Sequence, residues 1–299
     1  MTGHKKQQIF FRQAFKSEQL SHAYMLTGQE GIGKKIFAKA FAKGLLCPHE
    51  RFFEQCDCPS CKQAENGSHP DFHVYEEKDG KWEEKSNLKI EGIRQISENA
   101  AMSAKGWRIF IIDNVHILCL ADAGAASALL KTIEEPGINT VFLLITHRPD
   151  KVLSTIQSRC VNVFFDPLHD SELASVLKSK RVEPDFPLPY AAGSVSTALT
   201  LLDIDVQGLL SSLNYKNFDK LGMQILAMSD KNKFTAAVSV IQSWFLSIYK
   251  RTLNPEIAVF LQYTGAVLKN LTYNVNMQLL LLDFYIKLTN SLALAEAEK

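Results

Sequence analysis

The sequence predicts a parallel α/β domain followed by helical domains. Short apolar runs alternate with segments of helical periodicity in the first half of the chain, and this alternation favours a parallel sheet covered by helices. The strand-like runs occupy residues 23–27, 71–75, 108–112 and 141–146. The helical patterns among them occupy 36–45, 90–101 and 121–134.

The character of the chain changes after about residue 165. Helical patterns occupy 171–179 and 193–202, and from residue 206 onward the periodicity is helical nearly throughout. We therefore predict an α/β domain at 1–165, a small helical domain at 166–205 and a helical C-terminal domain at 206–299.

Charge and hydropathy argue against several classes of protein. The 299 residues carry 33 lysines and arginines against 32 acidic residues, a net charge of +1. This balance disfavours binding of nucleic acid through bulk positive charge, although it leaves a local basic patch open. The polar start at 1–8 predicts no signal peptide, and the apolar runs are shorter than the roughly 20 residues that cross a bilayer. We expect a soluble cytoplasmic protein with no membrane segment.

A phosphate-binding loop follows the first predicted strand. Residues 28–35 read GQEGIGKK, which matches the G-x-x-x-x-G-K pattern between a strand and a helix. Backbone N–H groups of such a loop cradle phosphates, and we expect Gly28, Gly33 and Lys34 to form the nucleotide site. The next position normally holds Mg²⁺ through a serine or threonine hydroxyl. Here it is Lys35, whose ammonium repels Mg²⁺, so we expect no Mg²⁺ at this site.

A second nucleotide motif lies at the end of the strand 108–112. Four apolar residues precede Asp113, which can serve a metal through water, and Asn114 follows it. A glutamate usually stands there to orient the attacking water, and the uncharged Asn114 lacks that capacity. Phosphoryl transfer depends on electrostatic positioning, so Lys35 and Asn114 together predict that the chain does not hydrolyse ATP efficiently. Binding of ATP or ADP through Lys34 remains open.

Four cysteines cluster within fifteen residues. Cys47, Cys56, Cys58 and Cys61 supply enough thiolates for a closed tetrahedral Zn²⁺ site, and in a chain without a secretion signal a metal is favoured over disulfides. We predict a structural zinc module at about 47–61, with reduced cysteines on a loop as the weaker alternative.

Several motifs together resemble the bacterial clamp-loader family of AAA+ proteins. They are SHAYMLTG at 21–28, SHPD at 68–71, AASALLKTIEEP at 125–136 and TIQSRC at 155–160. The resemblance covers 7–165 strongly and the remainder in outline. It implies an AAA+ P-loop domain with an inserted zinc module, a helical lid at 166–205 and a helical oligomerisation collar at 206–299. The family spaces its last three cysteines two residues apart, whereas only Asp57 separates Cys56 from Cys58 here.

The resemblance also assigns roles to single residues. It implies that Arg159, within the S-R-C motif, is an arginine finger that reaches into a neighbour's ATP site. Without that context, an ordinary inter-domain ion pair would be the better interpretation. Thr146 matches the sensor-1 position, but with the chain's own site altered we favour a plain strand-end hydroxyl. Ser196 stands where motor subunits carry a γ-phosphate-sensing arginine.

Altogether the resemblance implies a non-hydrolysing subunit of the DNA polymerase III clamp loader. Such a subunit helps to load the sliding clamp onto primed DNA, within a hetero-oligomer that contains tau/gamma motor subunits and the delta subunit. One alternative is an ATP-hydrolysing motor subunit of the tau/gamma type that tolerates Lys35. A second is a zinc-dependent DNA-binding module, which the cysteine cluster alone supports.

Overall fold

A computed structural model describes residues 1–78, 81–82, 96, 106–121, 123–213, 218–228, 230–271 and 276–297. The chain divides into two compact units, residues 1–168 and 169–299. The helix predicted at 90–101 lies outside the described residues except for residue 96. The predicted domain boundaries at 165 and 205 stay predictions.

The first unit contains a five-stranded sheet in which all neighbouring strands are parallel. A two-stranded antiparallel hairpin lies between the second and third strands of that sheet in the chain. The strands are β1 Ala23–Gly28, β2 Phe72–Tyr75, β3 Glu77–Lys78, β4 Lys81–Trp82, β5 Arg108–Ile112, β6 Thr140–Thr146 and β7 Val161–Phe165. The sheet order is β2-β5-β6-β1-β7, which confirms the four predicted strands and adds β7 at one edge.

The central strands are apolar because both of their faces are covered. Every residue of β5 and β6 is buried. On one face, Phe37 and Phe41 pack with Tyr24 and Leu26, and on the other Phe110 and its neighbours form a second core. Continuous burial on two faces explains why these strands show apolar runs instead of an alternating pattern.

Helices cover this sheet and form the regular structure that is described in the second unit. In 1–168 the α-helices are Lys5–Lys16, Lys34–Leu46, Pro59–Glu65, Val115–Ala121, Ala123–Glu134 and Ser154–Gln157. In 169–299 they are Asp170–Ser179, Val195–Leu201, Val206–Ser212, Phe218–Leu226, Lys231–Thr252, Pro255–Asn270 and Met277–Ala297. Short 3₁₀ turns occupy Pro149–Lys151 and Leu188–Ala191. Among the described residues, no helix has both the length and the apolar character needed to cross a membrane.

The N-terminal residues His4 and Gln7 form hydrogen bonds that support the region around the phosphate loop. The buried His4 donates from Nε2 to the carbonyl of Ile32 at 2.8 Å, and its ring lies 4.9 Å from that of Phe165. Gln7 Nε2 donates to the carbonyl of Phe164 at 2.6 Å, so the first helix also ties down the edge strand β7. The loop between β1 and the next helix is therefore supported from beneath by side chains that precede it in the sequence.

Candidate nucleotide and metal sites

The loop that follows β1 depends on glycine at several positions. Gly28, Gly31 and Gly33 have φ angles of 141°, 76° and 101°, values that side chains disfavour. A Cβ at Gly28 would also lie 2.4 Å from the carbonyl oxygen of Phe165 on β7. The loop then ends at Gly33, the residue that precedes the helix Lys34–Leu46. The backbone at this helix N-terminus has the conformation from which N–H groups bind anions.

Lys34 is turned into this loop. Its ammonium donates to the carbonyl oxygens of Gly28 at 2.8 Å and Gln29 at 2.5 Å. The residue is only 6% exposed, and desolvation lowers the pKa of Lys34 to about 8. The predicted phosphate-binding cation is therefore placed at the loop, where its contacts in this structure are the loop carbonyls.

Lys35 lies between two carboxylates. Its Nζ atom contacts Oδ2 of Asp113 at 3.0 Å and a carboxylate oxygen of Glu76. Burial by itself lowers the pKa of Lys35, but the bonds to these two carboxylates outweigh it and raise the pKa above the ordinary value. Lys35 is consequently a fixed positive charge at neutral pH, held at the acid of the second nucleotide motif.

Glu76 is a site residue that the motif analysis missed. The parallel pairing of β2 with β5 sets Tyr75 beside Ile112, so that the residues after them, Glu76 and Asp113, meet at the carboxyl edge of the sheet. The sequence does contain a signal for Glu76: it is an acid directly after the predicted strand 71–75, and α/β sheets bind ligands at the edge where strands end.

Asn114 continues the chain from Asp113 in a left-handed conformation, with φ 51°. Its backbone N–H donates to Oδ1 of Asp113 at 3.1 Å, and its carbonyl accepts from the N–H of Ile117 at 2.8 Å. Asparagine tolerates this backbone better than most residues, which gives Asn114 a structural reason to occupy the turn into the next helix. Its amide has no charge with which to polarise a water molecule.

Thr146 is fully buried at the end of β6. Its hydroxyl lies 3.0 Å from Nδ1 of His116 and accepts from the backbone N–H of Arg148 at 2.9 Å. Burial, together with His147 and Arg148, lowers the pKa of His116 to about 4. The Thr146 hydroxyl thus joins β6 to the helix Val115–Ala121, and its sensor-1 role stays a prediction.

His147 is a second residue that the sequence interpretation missed. Its ring meets that of His116 edge to face at 4.5 Å, and its Nε2 lies 3.8 Å from a carboxylate oxygen of Glu30 in the phosphate loop. Burial lowers the pKa of His147 as well. A neutral histidine pair therefore lines the region between the loop and the end of β6.

Arg159 follows the short helix Ser154–Gln157 and is exposed. Its Nε contacts Oε1 of Glu134 at 2.6 Å, and its Nη1 donates to the carbonyl of Thr155 at 2.9 Å. The side chain of Arg159 keeps 38% of its surface accessible. The structure therefore fixes two nitrogens of the guanidinium while the group remains at the protein surface.

The four predicted cysteines converge. Their sulfur atoms all lie within 4.8 Å of one another, with Cys47 Sγ 3.6 Å from Cys56 Sγ and 3.9 Å from Cys58 Sγ. Four thiolates at a Zn–S distance of about 2.3 Å stand about 3.8 Å apart at the corners of a tetrahedron. The sulfurs therefore fit Zn²⁺, and the short spacing from Cys56 to Cys58 does not prevent their convergence.

The local backbone supports this cluster. Cys58 caps the helix Pro59–Glu65, since its Sγ accepts from the N–H of Cys61 at 3.4 Å. Burial raises the pKa of Cys47, but N–H groups of the following loop outweigh it and bring the pKa down to about 7. Between the first two cysteines, Phe52 and Phe53 bury their rings in the main core and anchor the segment to the sheet domain.

Comparisons with known proteins place the chain in a family. The family model described as "DNA polymerase III, delta subunit" matches residues 3–169. The chain is 34% identical over 229 residues to DNA polymerase III subunit tau of Bacillus subtilis, across 76% of this chain and 38% of that protein. It is 34% identical over 158 residues to subunit delta' of Pseudomonas aeruginosa, across 52% of this chain and 46% of the relative. It is 35% identical over 172 residues to subunit delta' of B. subtilis, across 57% of this chain and 50% of the relative.

These matches span half or less of the relatives' own lengths. The parallel five-stranded sheet agrees with the AAA+ type of α/β domain that the motifs predict. Both tau and delta' proteins match, while the family model covers more than half of the chain. The chain therefore belongs to the DNA polymerase III delta subunit family, as a delta-prime-like clamp-loader subunit.

Proposed function

We propose that this chain is a non-hydrolysing delta-prime subunit of the clamp loader, and that it completes a neighbouring subunit's ATP site through Arg159. The observation that carries the first part is the ammonium of Lys35, which contacts Asp113 at 3.0 Å and also pairs with Glu76. In P-loop enzymes a Mg²⁺ ion neutralises the phosphate charge that develops during transfer. A lysine ammonium carries one positive charge and does not coordinate oxygen ligands, so it cannot bridge the β- and γ-phosphate oxygens as Mg²⁺ does.

The altered second motif supports the same conclusion. Asn114 follows Asp113 in place of an acid, and its backbone bond to the Asp113 carboxylate directs it into a turn. An uncharged amide polarises the attacking water less than a carboxylate does. Two separate requirements of hydrolysis are thus unmet, and nucleotide that binds through Lys34 is expected to remain intact.

Arg159 is suited to act outside its own chain. The ion pair with Glu134 and the bond to the Thr155 carbonyl restrict its rotamers, which lowers the entropy that a contact with a neighbour would cost. A guanidinium has five N–H donors, more than its contacts with Glu134, Thr155 and Ser158 use, and it presents them in a planar fork that suits phosphate oxygens. Arginine fingers contribute on the order of 10³ to 10⁵ in rate.

In this proposal the chain has no substrate of its own. It assembles with tau/gamma motor subunits and with the delta subunit, and it acts on the sliding clamp and primed DNA only as part of the loader. The lid at 166–205 and the collar at 206–299 are assigned by the same resemblance. Zn²⁺ bound by Cys47, Cys56, Cys58 and Cys61 would serve as structural support, with no open coordination position for chemistry.

The test compares ATP hydrolysis by reconstituted loaders that contain the natural chain, Arg159→Ala or Glu134→Ala. Clamp and primed DNA are present, and single-turnover measurements resolve the ATP site that adjoins this subunit. We expect Arg159→Ala to slow that site by on the order of 10³ or more. Glu134→Ala breaks the same ion pair but keeps the guanidinium, so it should cost less than about tenfold.

The two variants separate a finger from an ordinary ion pair. Equal losses in Arg159→Ala and Glu134→Ala would mean that the pair only stabilises this chain, and an unchanged rate in both would leave the subunit as scaffold alone. Either result would reject the proposed role of Arg159.

The alternative is an ATP-hydrolysing motor subunit of the tau/gamma type. It draws support from the tau protein of B. subtilis, whose match covers 76% of this chain. ATP turnover by the isolated chain decides between the two functions. Turnover that disappears in Lys34→Ala would establish the motor, whereas no turnover at saturating Mg²⁺ and ATP supports the non-hydrolysing subunit.

A further inference from the structure

The ion-pair cluster of Lys35, Glu76 and Asp113 combines residues from three separate elements. Lys35 lies in the first turn of the helix after the phosphate loop, Glu76 follows β2, and Asp113 follows β5. The strand register alone brings the two acids together, and the helix start then directs the lysine between them.

The three side chains of this cluster are partly buried, which strengthens the electrostatic interactions among them. The side chains of Asp113 and Glu76 are 15% and 27% exposed, and that of Lys35 is 35% exposed. Two adjacent carboxylates in partial burial repel each other, so that either one of them is protonated or a cation lies near both. The ammonium supplies that cation from within the chain, without any ion taken from solution.

We propose that Lys35 is a tethered cation that takes the place of a divalent metal ion at Asp113 and Glu76, and so excludes such ions from this edge of the sheet. The inference rests on the proposed function, in which this loop does not turn over nucleotide. It adds a mechanism for that inactivity: the metal position is filled by a side chain, while the acids that would serve a metal are retained. Removing the charge of Lys35 should convert the pair into a weak site for Mg²⁺ or Mn²⁺.

The experiment measures binding of Mn²⁺ alone to the full-length, zinc-saturated chain by electron paramagnetic resonance. Lys35→Met removes the charge and keeps most of the side-chain volume, and Lys35→Arg keeps the charge as a matched control. We expect Lys35→Met to bind Mn²⁺ at least about tenfold more tightly than the natural chain, since the positive charge that lies 3.0 Å from Oδ2 of Asp113 is removed. Lys35→Arg should resemble the natural chain.

A double variant identifies the ligands. Adding Asp113→Asn to Lys35→Met should abolish the gained Mn²⁺ affinity, because the pair then retains one carboxylate. The proposal is overturned if Lys35→Met gains no affinity while circular dichroism shows it folded, or if Asp113→Asn leaves the gain intact. A second test keeps Lys35 in place: if the natural chain binds Mn²⁺ and Asp113→Asn alone weakens that binding, Lys35 does not exclude the metal ion.

This outcome is independent of the Arg159 measurement. Metal binding by the isolated chain involves no neighbouring subunit, so a failure here leaves the proposed arginine finger untouched. Conversely, an ATPase rate that Arg159→Ala leaves unchanged would not alter the Mn²⁺ affinity expected for Lys35→Met.

Discussion

Replacing Cys58 by serine tests the metal centre most directly. The substitution removes one of four sulfurs that lie within 4.8 Å of one another, and it also removes the acceptor for the N–H of Cys61. A serine hydroxyl is a harder and weaker ligand for Zn²⁺ than a thiolate. The cluster geometry therefore predicts a large loss of metal affinity with little change in the distant sheet.

The magnitude follows from the number of ligands. Structural Zn²⁺ sites contribute about 10–16 kcal/mol of apparent binding free energy, so an equal share for each of four thiolates is about 2.5–4 kcal/mol. At about 1.4 kcal/mol per tenfold change, Cys58→Ser should weaken Zn²⁺ binding by roughly 10² to 10³. Thermal unfolding should then become insensitive to a chelator that destabilises the natural chain.

Zinc content and chelator-dependent unfolding are the measurements. The natural chain should carry one equivalent of Zn²⁺, and Cys119→Ser is the matched control because this partly buried cysteine lies outside the cluster. Less than one equivalent in the natural chain, or equal zinc loss in the two serine variants, would refute a closed four-cysteine site.

Two further predictions concern the nucleotide site. Burial holds the pKa of His116 at about 4, below its ordinary value near 6.5, so the native state favours the neutral ring. Stability should be complete above about pH 6.5 and decline as the pH falls toward about 4, by up to about 3 kcal/mol, and urea unfolding of His116→Gln should show a smaller decline. Gly28→Ala should lower the free energy of unfolding by at least about 2 kcal/mol, because its Cβ would lie 2.4 Å from the Phe165 carbonyl oxygen at φ 141°. Gly106→Ala, with no atom within 4 Å of the added Cβ, is the control, and equal losses in both glycine variants would contradict this reasoning.

The parts of the fold that could be predicted are those that local sequence determines. The strands around residues 108–112 and 141–146 are short, continuous apolar runs, since burial on both faces leaves no polar position. Strand β7 was not predicted, because its exposed and buried residues alternate irregularly at the sheet edge. Its place beside β1 arises from long-range pairing, which no local periodicity encodes.

The candidate sites divide in the same way. The glycines of the phosphate loop and the four clustered cysteines are close in sequence, so spacing alone predicted both groups. Glu76 and His147 entered only with the structure, because strand register and a loop contact bring them to residues far away in the chain. The ion pair of Arg159 with Glu134 could likewise not be predicted, since Glu134 lies 25 residues earlier and contacts Arg159 through the packing of two helices.

The proposed loss of hydrolysis does not require any loss of architecture. The glycine dihedrals, the helix that begins at Lys34 and the carboxylate after β5 all match the pattern of a phosphate-binding loop and its second motif. Two positions differ from that pattern: Asn114 stands where a glutamate is usual, and in our proposal Lys35 supplies the cation that enzymes of this type take from solution. Because that cation is covalently attached, its local concentration cannot be changed by nucleotide or metal. In the proposed function, such a site keeps its shape for assembly and stays inert throughout the catalytic cycle of a neighbouring subunit.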